Sequence, residues 1–284
     1  MLLMFPALRI LFCVFAFALS FAAHAFEPLN TDDAATIGRN VNQIEQYIYV
    51  LNNKAAEDVS VINSNGEEFR GLGRATAAPF TYTRGLSETV EASFASTYYA
   101  NPNGNYSALS NYVLGLKWRF WGDGERGWAF AVKPTVTLPA STSQQAVGIG
   151  FASTNYEVNL ISSYYWDQIH VHSNVSYARN PYNTNYPVSG STEPLRTNAY
   201  AFSIAPVWVV NARWRLALDF GAGSNILLNA NRFSDYGMVA ATYSITPDVD
   251  LGLSIMRSAA NFGTVFSGSG VYSLRSEAGV TWRF

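Results

Sequence analysis

The chain is short of cysteine, of charge and of long apolar runs, and each shortage removes a class of protein. Its one cysteine, Cys13, lies in an N-terminal segment that reads as removable and follows Phe12, where a lipoprotein site would want a small residue. The rest of the chain therefore excludes disulfides and thiol catalysis. Charged residues make up 13% of the sequence with a net charge of −2, one unit more negative once Arg9 is removed, so no basic surface for nucleic acid is present. The single long apolar run, Ile10 to Ala23, is too short and too weakly flanked for a membrane-spanning helix, and no second run follows.

What is present fits an exported β protein. Met1–Ala25 carries one positive charge, an apolar stretch and then Ala23-His24-Ala25, the small-x-small pattern of a signal-peptidase site. Cleavage there makes Phe26 the first mature residue and leaves about 259 residues, enough for one large all-β unit. Aromatics reach 15% and apolar residues 49%, spread evenly, as in a transmembrane barrel whose strands alternate greasy and polar positions. A soluble β-sandwich would leave the dense aromatics unexplained.

The closing segment shows the alternation best. In Tyr272–Phe284, Tyr272, Leu274, Ala278, Val280, Trp282 and Phe284 share one side, and Ser273, Arg275, Glu277, Gly279, Thr281 and Arg283 share the other. A strand ending on an aromatic resembles the C-terminal assembly signal of outer-membrane barrels, with Phe284 and Trp282 as its aromatic tip. That implies the barrel-assembly machinery and outer-membrane lipid as partners. Upstream, the pattern places strands at about 42–51, 76–83, 89–100, 112–120, 128–138, 154–166, 169–179, 198–210, 214–223, 235–245 and 249–257. Connections after odd-numbered strands are long and rich in Gly, Asn, Ser and Pro, and those after even-numbered strands are short. About twelve strands with that asymmetry predict a single antiparallel transmembrane β-barrel over 42–284, both termini periplasmic, behind a periplasmic leader at 26–41. No repeat of sequence supports a propeller or solenoid. Pro134, inside the fifth strand, argues for a bulge there.

Four stretches suggest a family. Pro28-Leu29-Asn30-Thr31-Asp32-Asp33-Ala34, Phe80 to Glu88, Leu114 to Phe120 and Gly279 to Phe284 together resemble the "MetA-pathway of phenol degradation" family of outer-membrane proteins described as transporters. The leader motif Thr31, Asp32, Asp33, Ala34 is its strongest piece. The resemblance implies a barrel and passive transport of small solutes, among them small aromatic or organic compounds. The 52–75 loop and the aromatic third strand depart from the family pattern and bear on the cargo.

The polar face of the strands supplies the candidate functional residues. Lys117, Arg119, Lys133, Glu91, Glu157, Arg275 and Glu277 fall on the lumen side. With Phe120 set opposite Trp128, Lys117 faces Ala131 and the three cations cluster on one wall, where such groups set ion preference. The competing expectation is that the lysines pair with Glu91 and Glu157 and merely fill the interior. His170-x-His172 has a spacing that could contribute to a metal site, but no third ligand is evident, so no metal and no cofactor are expected. No serine is placed beside either histidine as a nucleophile, so no catalytic residue is assigned. The leader motif could be a calcium loop, a lumen plug or a solvated tail. Two adjacent aspartates fall short of the first, and folding back into the periplasmic mouth is the working expectation. The reading is thus an outer-membrane channel for small solutes, with a structural or adhesive barrel and an outer-membrane hydrolase as the alternatives.

Overall fold

A computed structural model describes residues 28–53, 74–100, 108–146, 150–181, 196–225, 232–259, 261–267 and 272–284. The segment 1–25 expected to be a signal peptide lies outside them. Twelve strands close into one antiparallel barrel, each paired with its sequence neighbours and the first with the last. They are β1 Asn42–Asn53, β2 Arg74–Gly85, β3 Val90–Tyr99, β4 Val113–Trp121, β5 Gly127–Thr137, β6 Asn155–Tyr165, β7 Ile169–Arg179, β8 Asn198–Val209, β9 Trp214–Ser224, β10 Phe233–Thr246, β11 Val249–Ala259 and β12 Tyr272–Arg283. One short helix, α1 (Thr142–Ala146), lies in the connection expected to be an irregular loop. Ser141 begins it: its Oγ accepts from the Gln144 amide at 3.2 Å, as an N-cap does.

The alternation of side chains sorts the wall into two faces. Leu114, Leu116, Trp118, Leu251, Leu253 and Ile255 point outward and are exposed, whereas Glu91, Lys117, Asp219, Asp250, Arg275 and Arg283 point inward and are buried. A closed sheet with no free edge and an apolar exterior satisfies every ladder bond inside lipid, as a membrane-spanning sheet must. Aromatics gather near the short-turn end, where Trp118, Phe120, Trp128, Phe130 and Tyr164 contact one another in sequence. Such a girdle marks the level of a membrane interface.

Short turns join β2 to β3, β4 to β5, β6 to β7, β8 to β9 and β10 to β11, and all long connections sit at the other end. The turns carry their own chemistry. Gly122 and Gly124 adopt φ of 79° and 81° around Asp123, whose Oδ1 accepts from the amides of Glu125 and Arg126 at 2.8 and 2.9 Å. Those amides hold the Asp123 carboxyl below its ordinary value. The barrel seam lies at the same end, where Asn42 and Phe284 exchange backbone hydrogen bonds at 2.8 and 3.0 Å.

The β4–β5 hairpin differs from its expected register. Arg119 pairs with Ala131 and Trp118 with Val132, two residues away from the expected alignment, because a bulge between Arg119 and Trp121 absorbs the difference. A shift of two preserves the faces, so the lumen side stays the lumen side. No bulge forms at Pro134, which sits in register opposite Val158 of β6. The β4–β5 partners run to Gly115↔Thr135 and resume at Trp118↔Val132, leaving the missing proline N–H in the gap.

Candidate functional site

The lumen is occupied by the chain's own leader. Residues 28–41, expected to fold back into the periplasmic mouth, enter at the short-turn end and thread upward against the lumen wall. The entry is a tight corner, with Gly38 and Asn40 at φ of 85° and 65° and the Asn40 amide bonded to the Gly85 carbonyl at 3.0 Å. Gly85 presses directly on the Gly38 carbonyl, and a Cβ there would overlap it. Thr36 Oγ1 then donates to the Glu88 carbonyl at 2.7 Å, and the Ile37 amide donates to Glu91 Oε2 at 2.8 Å.

Higher in the lumen the leader motif meets matched groups on the wall. Lys117 Nζ lies 3.0 Å from Glu91, 3.3 Å from Asp32 Oδ1 and 3.7 Å from Asp33 Oδ1, and Lys133 Nζ lies 2.7 Å from Asp32 Oδ2. The lysines thus share the Asp32 carboxylate, one oxygen each. In the amide orientation that satisfies its neighbours, Asn174 accepts from the Asp32 amide at 2.9 Å and donates to the Asp32 carbonyl at 2.8 Å, while also accepting from Asn159 Nδ2 at 3.0 Å. Thr31 is held through its amide and hydroxyl by Asp219 at 2.9 and 2.8 Å, and Asp219 also accepts from the Asn30 amide at 2.8 Å and from the Tyr236 hydroxyl at 2.7 Å. Arg275 donates to Asn30 Oδ1 at 3.1 Å.

Apolar packing finishes the fit. Leu29 joins Ala205, Val207, Ala217, Met238 and Met256, and Ala34 and Ala35 join Ala129, Ala131, Ile161 and Tyr165. The inward alanines of β5, β8 and β9 are the signal that the sequence reading passed over, since small lumen residues leave the width a second segment needs.

The charges are arranged so that one carboxylate is in excess. Two lysines meet Asp32, Asp33 and Glu91. Burial would raise the Asp32 carboxyl, but Lys117 and Lys133 outweigh it and hold it well below the usual range. Burial pushes the Asp33 carboxyl up to about 6, with Lys117 opposing and the neighbouring Asp32 and Glu91 charges adding to the rise.

The other candidates take different positions. Lys117 and Lys133 share one wall but face the leader and not an open path. Lys117 does pair with Glu91, whereas the partner of Lys133 is Asp32 and not Glu157. Arg119 leaves the cluster and donates to the Glu88 carbonyl at 2.6 Å, beside the short turns. Glu157 lines a cavity of about 270 Å³ on the long-loop side of the leader, together with Asn159, Asn174, Ser176, Ser203 and Tyr236, and Asn30 contributes to its boundary. Arg275 and Glu277 pair with each other at 3.1 Å. Arg283 and Arg215 both reach Asp250, at 2.9 and 3.0 Å. Phe284 packs on Trp282 with ring centroids 4.5 Å apart.

Sequence reasoning found no serine beside a histidine, yet Ser163 Oγ lies 2.9 Å from His172 Nδ1 across β6 and β7. Ser163 is fully buried, and its Oγ accepts the Ala34 amide at 2.8 Å. The pair is therefore occupied in holding the leader. The His170 and His172 rings are 6.2 Å apart, and among the described residues no three His, Cys, Asp or Glu side chains converge as metal ligands.

No protein-family model matches the sequence, and no curated protein matches it. The fold is similar to solved outer-membrane barrels. An outer-membrane channel from Pseudomonas putida F1 superposes with a TM-score of 0.59 at 12% identity, covering 89% of this chain and 98% of that one. The NanC porin gives 0.53 at 11% identity over 85% and 98% of the two chains, and the KdgM porin 0.50 at 8% identity over 85% and 99%. The likeness is one of architecture: a twelve-stranded barrel of the outer-membrane type.

Proposed function

We propose that this protein is an outer-membrane channel for small polar solutes whose path is closed by its own N-terminal leader. The observation that carries the reading is residues 28–41 docked in the lumen through polar contacts, beneath a cavity lined by Glu157, Asn159, Asn174, Ser176 and Ser203 toward the long-loop end of the strands. A barrel of about eight strands can fill its interior with wall side chains alone. Here a separate segment does so through groups that water can also satisfy, so its release is reversible in principle. The buried Ser163 weighs against a hydrolase, because no substrate carbonyl can reach its Oγ while the leader is docked. The resemblance to the phenol-degradation family supports transport, and the polar cavity favours solutes with hydrogen-bonding groups over bare hydrocarbons. The barrel-assembly machinery is the expected partner of the C-terminal strand.

Single-channel recording in planar bilayers tests the proposal. The refolded mature protein should show rare openings, and a form lacking residues 26–37 should conduct steadily at a larger unit conductance. Silence from both, with both migrating as heat-modifiable folded barrels, would contradict the channel reading.

A further inference from the structure

Resting on that channel reading, we infer that Lys117 and Lys133 form a carboxylate-binding site in the path, that Asp32 is its built-in occupant, and that the solutes selected are small carboxylates bearing a second hydrogen-bonding group.

The wall grips Asp32 as a receptor grips a ligand. Each carboxylate oxygen has its own lysine, at 3.3 and 2.7 Å, and the backbone beside it is held by a donor and an acceptor from one carboxamide, that of Asn174. None of these wall groups needs the occupant to be part of a chain. They read a carboxylate and a neighbouring polar group, which a free solute can present equally well.

Access supports the same reading. A pure structural lock would be sealed, as Lys117 is at 2% exposure, but the Lys133 and Asp32 side chains keep 30% and 18%. Lys133 pairs across β5 and β6 with Asn159, and Asn159 and Asn174 both line the cavity on the long-loop side. A solute entering that cavity therefore meets the same two asparagines that steady Asp32, with Lys133 next.

Charge balance sets the preference. With the leader withdrawn, Lys117 keeps Glu91 at 3.0 Å, whereas Lys133 loses Asp32, the one carboxylate within ion-pair distance of it among the described residues, while Glu45 and Glu157 act on it only from farther along the wall, so the vacated position presents an ammonium without a paired anion. A buried cation stripped of its partner is strongly unfavourable, which makes anion entry the compensating event. Solute and leader then compete for one site, and a bound solute holds the leader off. A ligand shifts such an equilibrium only by its preference for the open form, and that preference is what the dilysine supplies.

The test uses the full mature protein in planar bilayers with succinate added from the long-loop side, and succinamide at matched ionic strength as the uncharged control. Succinate should raise the open probability by about tenfold at saturation, while succinamide leaves it unchanged. In Asp32→Asn, which keeps the backbone contacts, the channel should be open more often, the reversal potential in a salt gradient should move toward anion preference, and succinate should add little. Lys133→Met should lose the succinate response while still migrating as a folded barrel. Equal responses to succinate and succinamide, or a Lys133→Met channel that responds like the parent, would overturn the inference and leave the channel reading intact. Absence of conductance from both the parent and Asp32→Asn would instead sink the channel reading itself.

Discussion

Removing the charge of Asp219 should release the leader by an amount that can be worked out from its contacts. Three bonds tie it to the leader: the amides of Asn30 and Thr31 on Oδ2, and the Thr31 hydroxyl on Oδ1. Asp219→Asn keeps the shape. Its carbonyl can face the two amides while its NH₂ faces the Thr31 and Tyr236 hydroxyls, which can rotate to accept. What is lost is the charge assistance, about 1 kcal/mol per bond. Three bonds make about 3 kcal/mol, a shift of roughly a hundredfold in the docking equilibrium. Asp219→Ala removes the acceptors altogether and should release the leader further. Because Cys13 is the only cysteine in the sequence, a thiol placed at Ala35, which is 2% exposed, reports docking without background. Maleimide labelling of Ala35→Cys, normalised to the unfolded rate, should accelerate in the order parent, Asp219→Asn, Asp219→Ala. Equal rates in all three backgrounds, with each barrel folded by heat-modifiable mobility, would show that Asp219 does not hold the leader.

The same thiol should report pH. Asp33 has an ordinary value near 3.8 raised to about 6 when docked, so between those values the docked form keeps a proton that the released form gives up. Docking should therefore weaken as pH rises through that window, by up to roughly a hundredfold, and Asp33→Asn should flatten the profile. Leu253 faces lipid at 60% exposure, so Leu253→Arg should cost about 2–4 kcal/mol near the midplane in urea refolding, and Ser254→Ala, one residue along on the lumen side, less than about 1 kcal/mol. Reversed costs would mean the faces are exchanged. Deleting Phe284 removes the backbone exchange with Asn42 and the ring packed on Trp282, so the yield of heat-modifiable folded barrel should fall while export is unchanged; equal yields would count against a role in closure.

Strands were legible because a barrel wall writes its two environments into every second residue. β7, at Ile169–Arg179, matches its expected span residue for residue, and the asymmetry of the connections set the direction of the whole barrel. Register was less legible: the β4–β5 bulge lies between Arg119 and Trp121, and hydrophobic alternation is blind to the shift of two that it absorbs. The helix α1 was missed because five polar and small residues carry no periodicity. The leader could be recognised as a motif and expected at the periplasmic mouth, but its partners on the wall could not be named, since its contacts are remote in sequence. Thr31 meets Asp219 across a separation of 188 residues, and Lys133 meets Asp32 across 101. Of the three cations expected on one wall, Lys117 and Lys133 meet at Asp32 and Arg119 stands apart beside the short turns, and the electrostatic meaning of the lysine pair depends on what the leader brings to it.

The corner at Gly38–Val41 fixes how hard the leader is to displace. A segment held to its site by so short a connection is presented to that site at an effective concentration of about millimolar or above, whatever its intrinsic affinity. A free solute at micromolar concentration must then bind the wall about a thousandfold more tightly than the leader does to hold half of the molecules open. The tether thus sets a threshold: sparse solutes leave the membrane sealed, and the path responds where solute is abundant outside the cell.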